Sequence, residues 1–277
     1  MSLKLDSAKK LNGGGEIPLL GLGTWEMPPG RVGLRAMLGA FEAGYRHIDT
    51  AALYGNEETV GEAVRTGGLD RAHVFITTKV WNSDHGFERT LRAGDNSLSR
   101  LGLDYIDLYL VHWPVAGPRL QTWRAMEELL ETGKTRAIGV SNYMVRHLEE
   151  LAAHSDVTPA VNQIELHPYN YLSRLEVIDY CRDRDIAVEA YCPLARGARF
   201  SDPRLIETAK KYAKTPAQIM ISWSLQRGFI CIPKSTHRER IFANADVFDF
   251  SLNPDDMAAI DSLNENLVTT WDPTNAP

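Results

Sequence analysis

Cysteine is scarce. Only Cys181, Cys192 and Cys231 occur in 277 residues, and none stands in a CxxC pair. Neither a disulfide framework nor a zinc ribbon is expected. A low, odd count fits a reducing, cytoplasmic setting. No apolar run reaches the roughly 18 residues that a membrane span needs. The opening MSLKLDSAKK has no apolar stretch, so no signal peptide is expected either. Basic charge is not in excess: the net charge is −6, which argues against a nucleic-acid surface. The eight histidines form no HxH, no HExxH and no spaced cluster with cysteine, so no metal site is expected. Linkers, repeats and low-complexity segments are also missing, and one domain spanning 1–277 is expected.

What the chain does have is alternation. Short apolar runs at 19–25, 46–50, 74–80, 105–113, 136–142, 160–166, 186–191 and 229–235 read as eight strands. Most lie about 30 residues apart, the length of a strand–helix unit. The last gap is longer and has room for two helices. Thr215, Pro216 and Gln218 spell a capping box with proline at the first helical position, and Gly228 marks the stop. Phe87, Leu91, Leu98 and Leu101 line one helical face, although Gly94 weakens that helix. Eight such units imply an α/β chain folded as a (β/α)8 TIM barrel. An open doubly wound sheet ranks second, because no strand leads into a GxGxxG turn. Residues KLNGGGEIPLL, with Asn12-Gly13, read as an N-terminal β-hairpin closing the barrel bottom, and the residues after Leu267 as a C-terminal loop tail.

Barrels of this kind react at the C-terminal ends of their strands. Those ends carry Thr24 and Trp25, Asp49, Lys79, His112, Ser141 and Asn142, Gln163, Tyr191, and Lys234 with Ser235. Any one polar strand end has an ordinary explanation, since it meets a loop. Polar groups at all eight would converge on one mouth. Tyr54 follows Asp49 by five residues and reaches back from the next loop. A free phenol titrates near 10, too high for easy proton exchange at neutral pH. A lysine ammonium about 4 Å away would favour the phenolate by roughly 4 kcal/mol at an effective dielectric near 20, before desolvation is subtracted. Lys79, held by Asp49, is therefore expected to draw Tyr54 toward working pH as a general acid. A Schiff-base role for Lys79 is the rival, and the neighbouring Asp49 counts against it.

HIDTAALYGNE, FITTKVW, DLYLVHWP, IGVSN, VNQIELHP and IPKSTHRERI follow one another from about Leu20 to Phe250. In that order they resemble the signatures of the aldo-keto reductase superfamily, in its short-looped bacterial or archaeal form, similar to 2,5-diketo-gluconate reductases and aldehyde reductases. The resemblance implies reduction of an aldehyde or ketone by hydride from the nicotinamide C4 of NADPH. It makes Tyr54 the acid, Lys79 and Asp49 its tuning pair, and His112 the residue that orients the carbonyl. Ser141, Asn142 and Gln163 match the residues holding the nicotinamide carboxamide, and Tyr191 the ring stacked on the nicotinamide. Pro193 and Leu194, with Gly23 and Thr24, match the turns beside the pyrophosphate. Trp25, Trp81 and Trp113 match the substrate pocket wall.

The run KSTHRERIFAN is basic in an acidic chain and opens a helix, where free N–H groups favour anions. Lys234, Ser235 and Arg240 are expected on the adenosine 2′-phosphate and Asn244 near the adenine, which selects NADPH over NADH. Cys192, Arg196 and Ala243 depart from the usual family residues. The loop after His112 is short, so an open pocket is expected, with Trp271 either closing it or lying loose in the tail. His47 reads as a packed or hydrogen-bonded histidine, His167 as structural and Cys181 as a semi-buried thiol. The expected partner is a small carbonyl compound, with no membrane or nucleic acid, and the expected state is a monomer. Because the superfamily also includes non-catalytic members, a cofactor-binding protein without turnover is the alternative.

Overall fold

The computed structural model describes residues 3–276. A hairpin comes first: β1 (Ala8–Lys10) pairs antiparallel with β2 (Glu16–Pro18), Lys9 opposite Ile17. Its turn needs positive φ at two successive positions, and Gly14 and Gly15 supply 95° and 79°. Buried Leu11 and Ile17 join the core, and the Asn12 side chain donates to Pro159 O just before a barrel strand begins. The hairpin therefore covers the end from which the strands start.

Strands and helices then alternate: β3 (Leu22–Gly23), α1 (Arg31–Glu42), β4 (His47–Asp49), α2 (Glu57–Thr66), β5 (Phe75–Val80), α3 (Phe87–Leu101), β6 (Leu108–Val111), α4 (Arg119–Glu131), β7 (Ile138–Ser141), α5 (Val145–Ala152), β8 (Val161–Glu165), α6 (Leu175–Asp183), β9 (Ala187–Tyr191), α7 (Pro203–Lys211), α8 (Pro216–Gln226), β10 (Ile230–Cys231), α9 (Arg238–Ala245) and α10 (Pro254–Asp261). The sheet runs β3 to β10 in chain order and every neighbouring pair is parallel. Leu20 bridges Cys231, and Gly21 and Gly23 N–H donate to Cys231 O and Pro233 O, which closes the curl into a barrel. The eight expected strands and the hairpin are all present.

Local chemistry accounts for the helix ends. Gln218 N donates to Thr215 Oγ1 and Thr215 N to Gln218 Oε1, so the capping box forms as read. Gly94, which weakens α3 on propensity, has a packing reason: a Cβ there would lie 2.9 Å from Leu129 of α4. Helix α10 is an addition to the expected plan, capped by Asn253 Oδ1 accepting from Asp256 N. After it the chain crosses the far end of the barrel. The tail is tied to strand ends there: the Glu165 carboxylate accepts from N and Oγ1 of both Thr269 and Thr270. Arg146 donates to Thr274 O and Ala276 O, and Arg174 binds Asp272 and Thr274.

Candidate active site

Side chains alternate along a strand, so the inward positions of β4, β5, β8 and β9 include His47 and Asp49, Thr77 and Lys79, Gln163, and Glu189. Barrel interiors are ordinarily filled by branched apolar residues. Here one layer is polar. Lys79 Nζ donates to Asp49 Oδ1 at 2.7 Å, Asp49 Oδ2 at 2.8 Å and Thr50 O at 2.8 Å. These three acceptors take all three ammonium hydrogens. From the opposite wall, Gln163 Nε2 reaches Asp49 Oδ2 at 2.7 Å and also Glu189 Oε2 at 2.8 Å. Burial pushes the Asp49 carboxyl up, and Lys79 and Gln163 pull it back. Burial, and then the Asp49 charge, push Glu189 up to about 8. Burial and Lys79 push His47 down to about 3, so it is neutral, with Nε2 3.1 Å from Thr77 Oγ1.

Above this layer stands Tyr54. Its loop is held by Asn56, whose amide donates to Thr24 O and Met27 O while its Oδ1 accepts from Thr50 Oγ1 at 2.6 Å. The sequence reading passed over Asn56. Tyr54 meets His112 edge to face, with centroids 5.7 Å apart. His112 is 5.1 Å from Trp81 and stacks with Trp113 at 6.3 Å. Burial, reinforced by Lys79, holds the imidazole well below its ordinary value, so it is neutral. Trp271 packs on Trp113 at 4.5 Å while remaining 57% exposed, so it extends the pocket rim rather than lying loose. Trp25 is not part of this aromatic cluster: it carries Arg196 over its face at 4.8 Å.

The expected tuning of Tyr54 by Lys79 meets competing acceptors. Lys79 lies 5.1 Å from the centre of the Tyr54 ring, and its donors already serve Asp49 and Thr50. Its paired carboxylate opposes its field at the phenol. Burial and the nearby Asp49 hold the phenol well above its ordinary value. Tyr54 is therefore fully protonated at neutral pH. Cys181 also differs from expectation, being fully buried beneath Asn162. His47 and His167 are packed as read, His167 lying 3.2 Å from Glu165.

The remaining expected residues divide between those that face the mouth and those occupied elsewhere. Ser141 Oγ donates to Gln163 O. Asn142, in the left-handed region at φ 65°, donates to His112 O and accepts from Tyr191 Oη at 2.8 Å. The Gln163 amide nitrogen is committed to two carboxyls, but its Oε1 meets no donor among the described residues and is not sealed from solvent. Thr24 is fully buried, with its hydroxyl on Asp49 O. At Gly23 a Cβ would lie 2.8 Å from Ile232 O, so only glycine fits that turn. Cys192, Ala195 and Arg196, around Pro193 and Leu194, all have positive φ, a cluster of strained backbone of the kind found at ligand loops. Arg196 also bonds Glu26 across the mouth. Beside the start of α9, Lys234 and Arg240 are exposed and have no carboxylate partner among the described residues. Ser235 Oγ accepts from His237 N, and Asn244 is buried.

A profile of the Aldo/keto reductase family matches residues 19–265. The chain belongs to that family. Glyoxal reductase of Bacillus subtilis is 46% identical over 266 residues, covering 96% of each chain. The aldo/keto reductase from Brucella melitensis shares 48% identity and superposes with a TM-score of 0.88, over 93% of this chain and 99% of that one. The Bombyx mori aldo-keto reductase, solved in complex with NADP, is 38% identical with a TM-score of 0.89, over 98% of this chain and 96% of that one. The reductase uses NADP(H), and its own residues fit the cofactor. The free Gln163 Oε1 suits a carboxamide N–H, and the unpaired cations by α9 suit a phosphate. No helix among the described residues is long and apolar enough to cross a membrane.

Proposed function

We propose that this chain reduces a small aldehyde or ketone to its alcohol with NADPH, with Tyr54 as general acid. The observation that carries the reading is the meeting of a protonated phenol, a neutral imidazole and a buried ion pair in one aromatic-walled mouth. The bound cofactor supplies hydride to the carbonyl carbon. Tyr54 Oη gives its proton to the carbonyl oxygen as negative charge develops there. A raised phenol pKa suits an acid that must arrive protonated, although it gives up driving force. Neutral His112 donates a hydrogen bond that orients the same oxygen. The Lys79–Asp49 pair fixes the floor on which Tyr54 rests. Trp81 and Trp113 wall the site around His112, and Trp25 stands at its outer rim.

Lys234, Ser235 and Arg240 hold the 2′-phosphate, Asn244 faces the adenine, and Ser141, Asn142, Gln163 and Tyr191 seat the nicotinamide. A Schiff-base role for Lys79 is disfavoured because its three hydrogens are all donated and no lone pair is free to attack. The same reading carries a one-domain monomer acting in the cytoplasm, which light scattering of the purified chain tests for assembly. The decisive assay follows NADPH oxidation with a panel of aldehydes, dicarbonyls and keto-sugars, beside NADH. Turnover with NADPH is expected. Tight NADPH binding with no turnover on any carbonyl would replace this reading with a cofactor-binding role.

A further inference from the structure

Glu189 lies in the apolar run IAVEAY and has no part in the chemistry proposed above, yet it is fully buried at the centre of the barrel. The register sets it beside Gln163 of β8 and Ile230 of β10. Its Oε2 accepts from Gln163 Nε2 at 2.8 Å. Its Oε1 has no hydrogen-bond partner among the described residues, and His47 Nε2 is 3.7 Å away. A buried carboxyl oxygen without a partner is expensive when charged. The groups around it do not supply a spare cation. Lys79 is bound by Asp49, His47 is neutral, and Cys231 of β10 is a thiol pushed up to about 12 by burial. The layer balances as one ammonium, one carboxylate and one carboxylic acid.

We propose that Glu189 is a positioning residue of the cofactor site: with Asp49 it clamps the amide nitrogen of Gln163 and thereby turns Gln163 Oε1 to the mouth as an acceptor for the carboxamide N–H of the nicotinamide. An amide can otherwise flip and offer its donor instead. Two acceptors on the nitrogen side disfavour the flip, because the flipped amide would set its carbonyl against the Asp49 carboxylate and leave Glu189 Oε2 without its donor. Glu189 therefore fixes the polarity of a residue it touches and touches no cofactor itself. This inference rests on the NADPH reading of the mouth and adds a determinant for the head group.

The test compares the parent with Glu189→Met, which keeps the length but loses the acceptor, and Glu189→Gln, which keeps it. Dissociation constants for NADPH and for its 3-acetylpyridine analogue, which lacks the amide N–H, are read by tryptophan fluorescence. The parent is expected to favour NADPH over the analogue, and Glu189→Met to lose about tenfold of that preference, the scale of one hydrogen bond. Glu189→Gln is expected to keep the preference within about twofold of the parent, because its carbonyl still accepts from Gln163. A parent-like preference in Glu189→Met overturns the proposal. So does loss of preference in Glu189→Gln, which would assign the effect to the carboxyl group itself rather than to its acceptor oxygen; if the methionine variant does not fold, this second variant decides. Absence of carbonyl turnover leaves these constants measurable, so failure of the reductase reading and failure of this inference are separate results.

Discussion

Replacing Asp49 by Asn removes the carboxylate from a fully buried lysine and leaves everything else near its size. Lys79 is 0% exposed, and two of its three hydrogen bonds go to Asp49. Taking away one partner of a buried pair costs about 3–5 kcal/mol, because the remaining charge has no water to return to. Thr50 O and the new amide oxygen still accept from the ammonium, which places the expectation near the lower end. Unfolding entropy of about 2.1 cal/mol/K per residue gives roughly 0.6 kcal/mol/K for a chain of this length. The melting temperature should therefore fall by about 5–6 °C. Calorimetry at low and high salt is the assay, and the shift should not depend on salt, since a buried pair is poorly screened. Asp49→Asn combined with Lys79→Met should recover part of the loss, because the stranded charge is gone. A fall below about 2 °C, or a double variant as unstable as the sum of the singles, would refute the buried-pair argument.

Tyr54→Phe should keep NADPH binding by fluorescence titration and lose roughly 10²–10⁴-fold in carbonyl reduction; an unimpaired variant would remove Tyr54 as the acid. Arg240→Ala should weaken NADPH by about tenfold or more and leave NADH within about twofold, as expected for one charge-assisted contact to a 2′-phosphate; equal weakening would place that phosphate elsewhere. Glu165 is opposed by burial but held down to about 2 by donors from His167, Thr269 and Thr270. Its folded value lies below its unfolded one, so it contributes stability above about pH 4.5 that is lost as pH falls from 4.5 toward 2. Proteolysis within residues 268–276 should accelerate over that window in the parent, and Glu165→Gln should be cut readily even at neutral pH. A tail equally resistant in both would show that Glu165 does not hold it.

Strand positions were legible because each is a short apolar run at a regular interval, and barrel packing demands both. The capping box at Thr215 needed only four adjacent residues. Helix α10 had its signal, Asn253 followed by Pro254, but only Ile260 is buried along it, so the apolar stripe was too thin to read. Glu189 was hidden for the opposite reason: a lone acid in an apolar run passes for a surface residue. Period two would have found it, since Tyr191 had been assigned inward and Glu189 sits two residues before it. The acceptors that compete for the Lys79 ammonium were not all legible. Thr50 O takes the third lysine hydrogen, and backbone carbonyls leave no mark in a sequence. The Glu165 anchor joins groups about a hundred residues apart, beyond any local pattern.

The bond from Gln163 to Asp49 spans 114 residues of sequence and joins strands on opposite walls. Its formation requires that both halves of the chain be present. An amino-terminal fragment ending near β6 holds Asp49 and Lys79 side by side, but with the far wall missing the two charges remain hydrated and their attraction is weak. Drying of the ion pair is therefore tied to ring closure through a contact of high sequence separation. The polar floor of the mouth is thus also a latch of the barrel, and a truncated chain cannot complete that floor before the whole ring has closed.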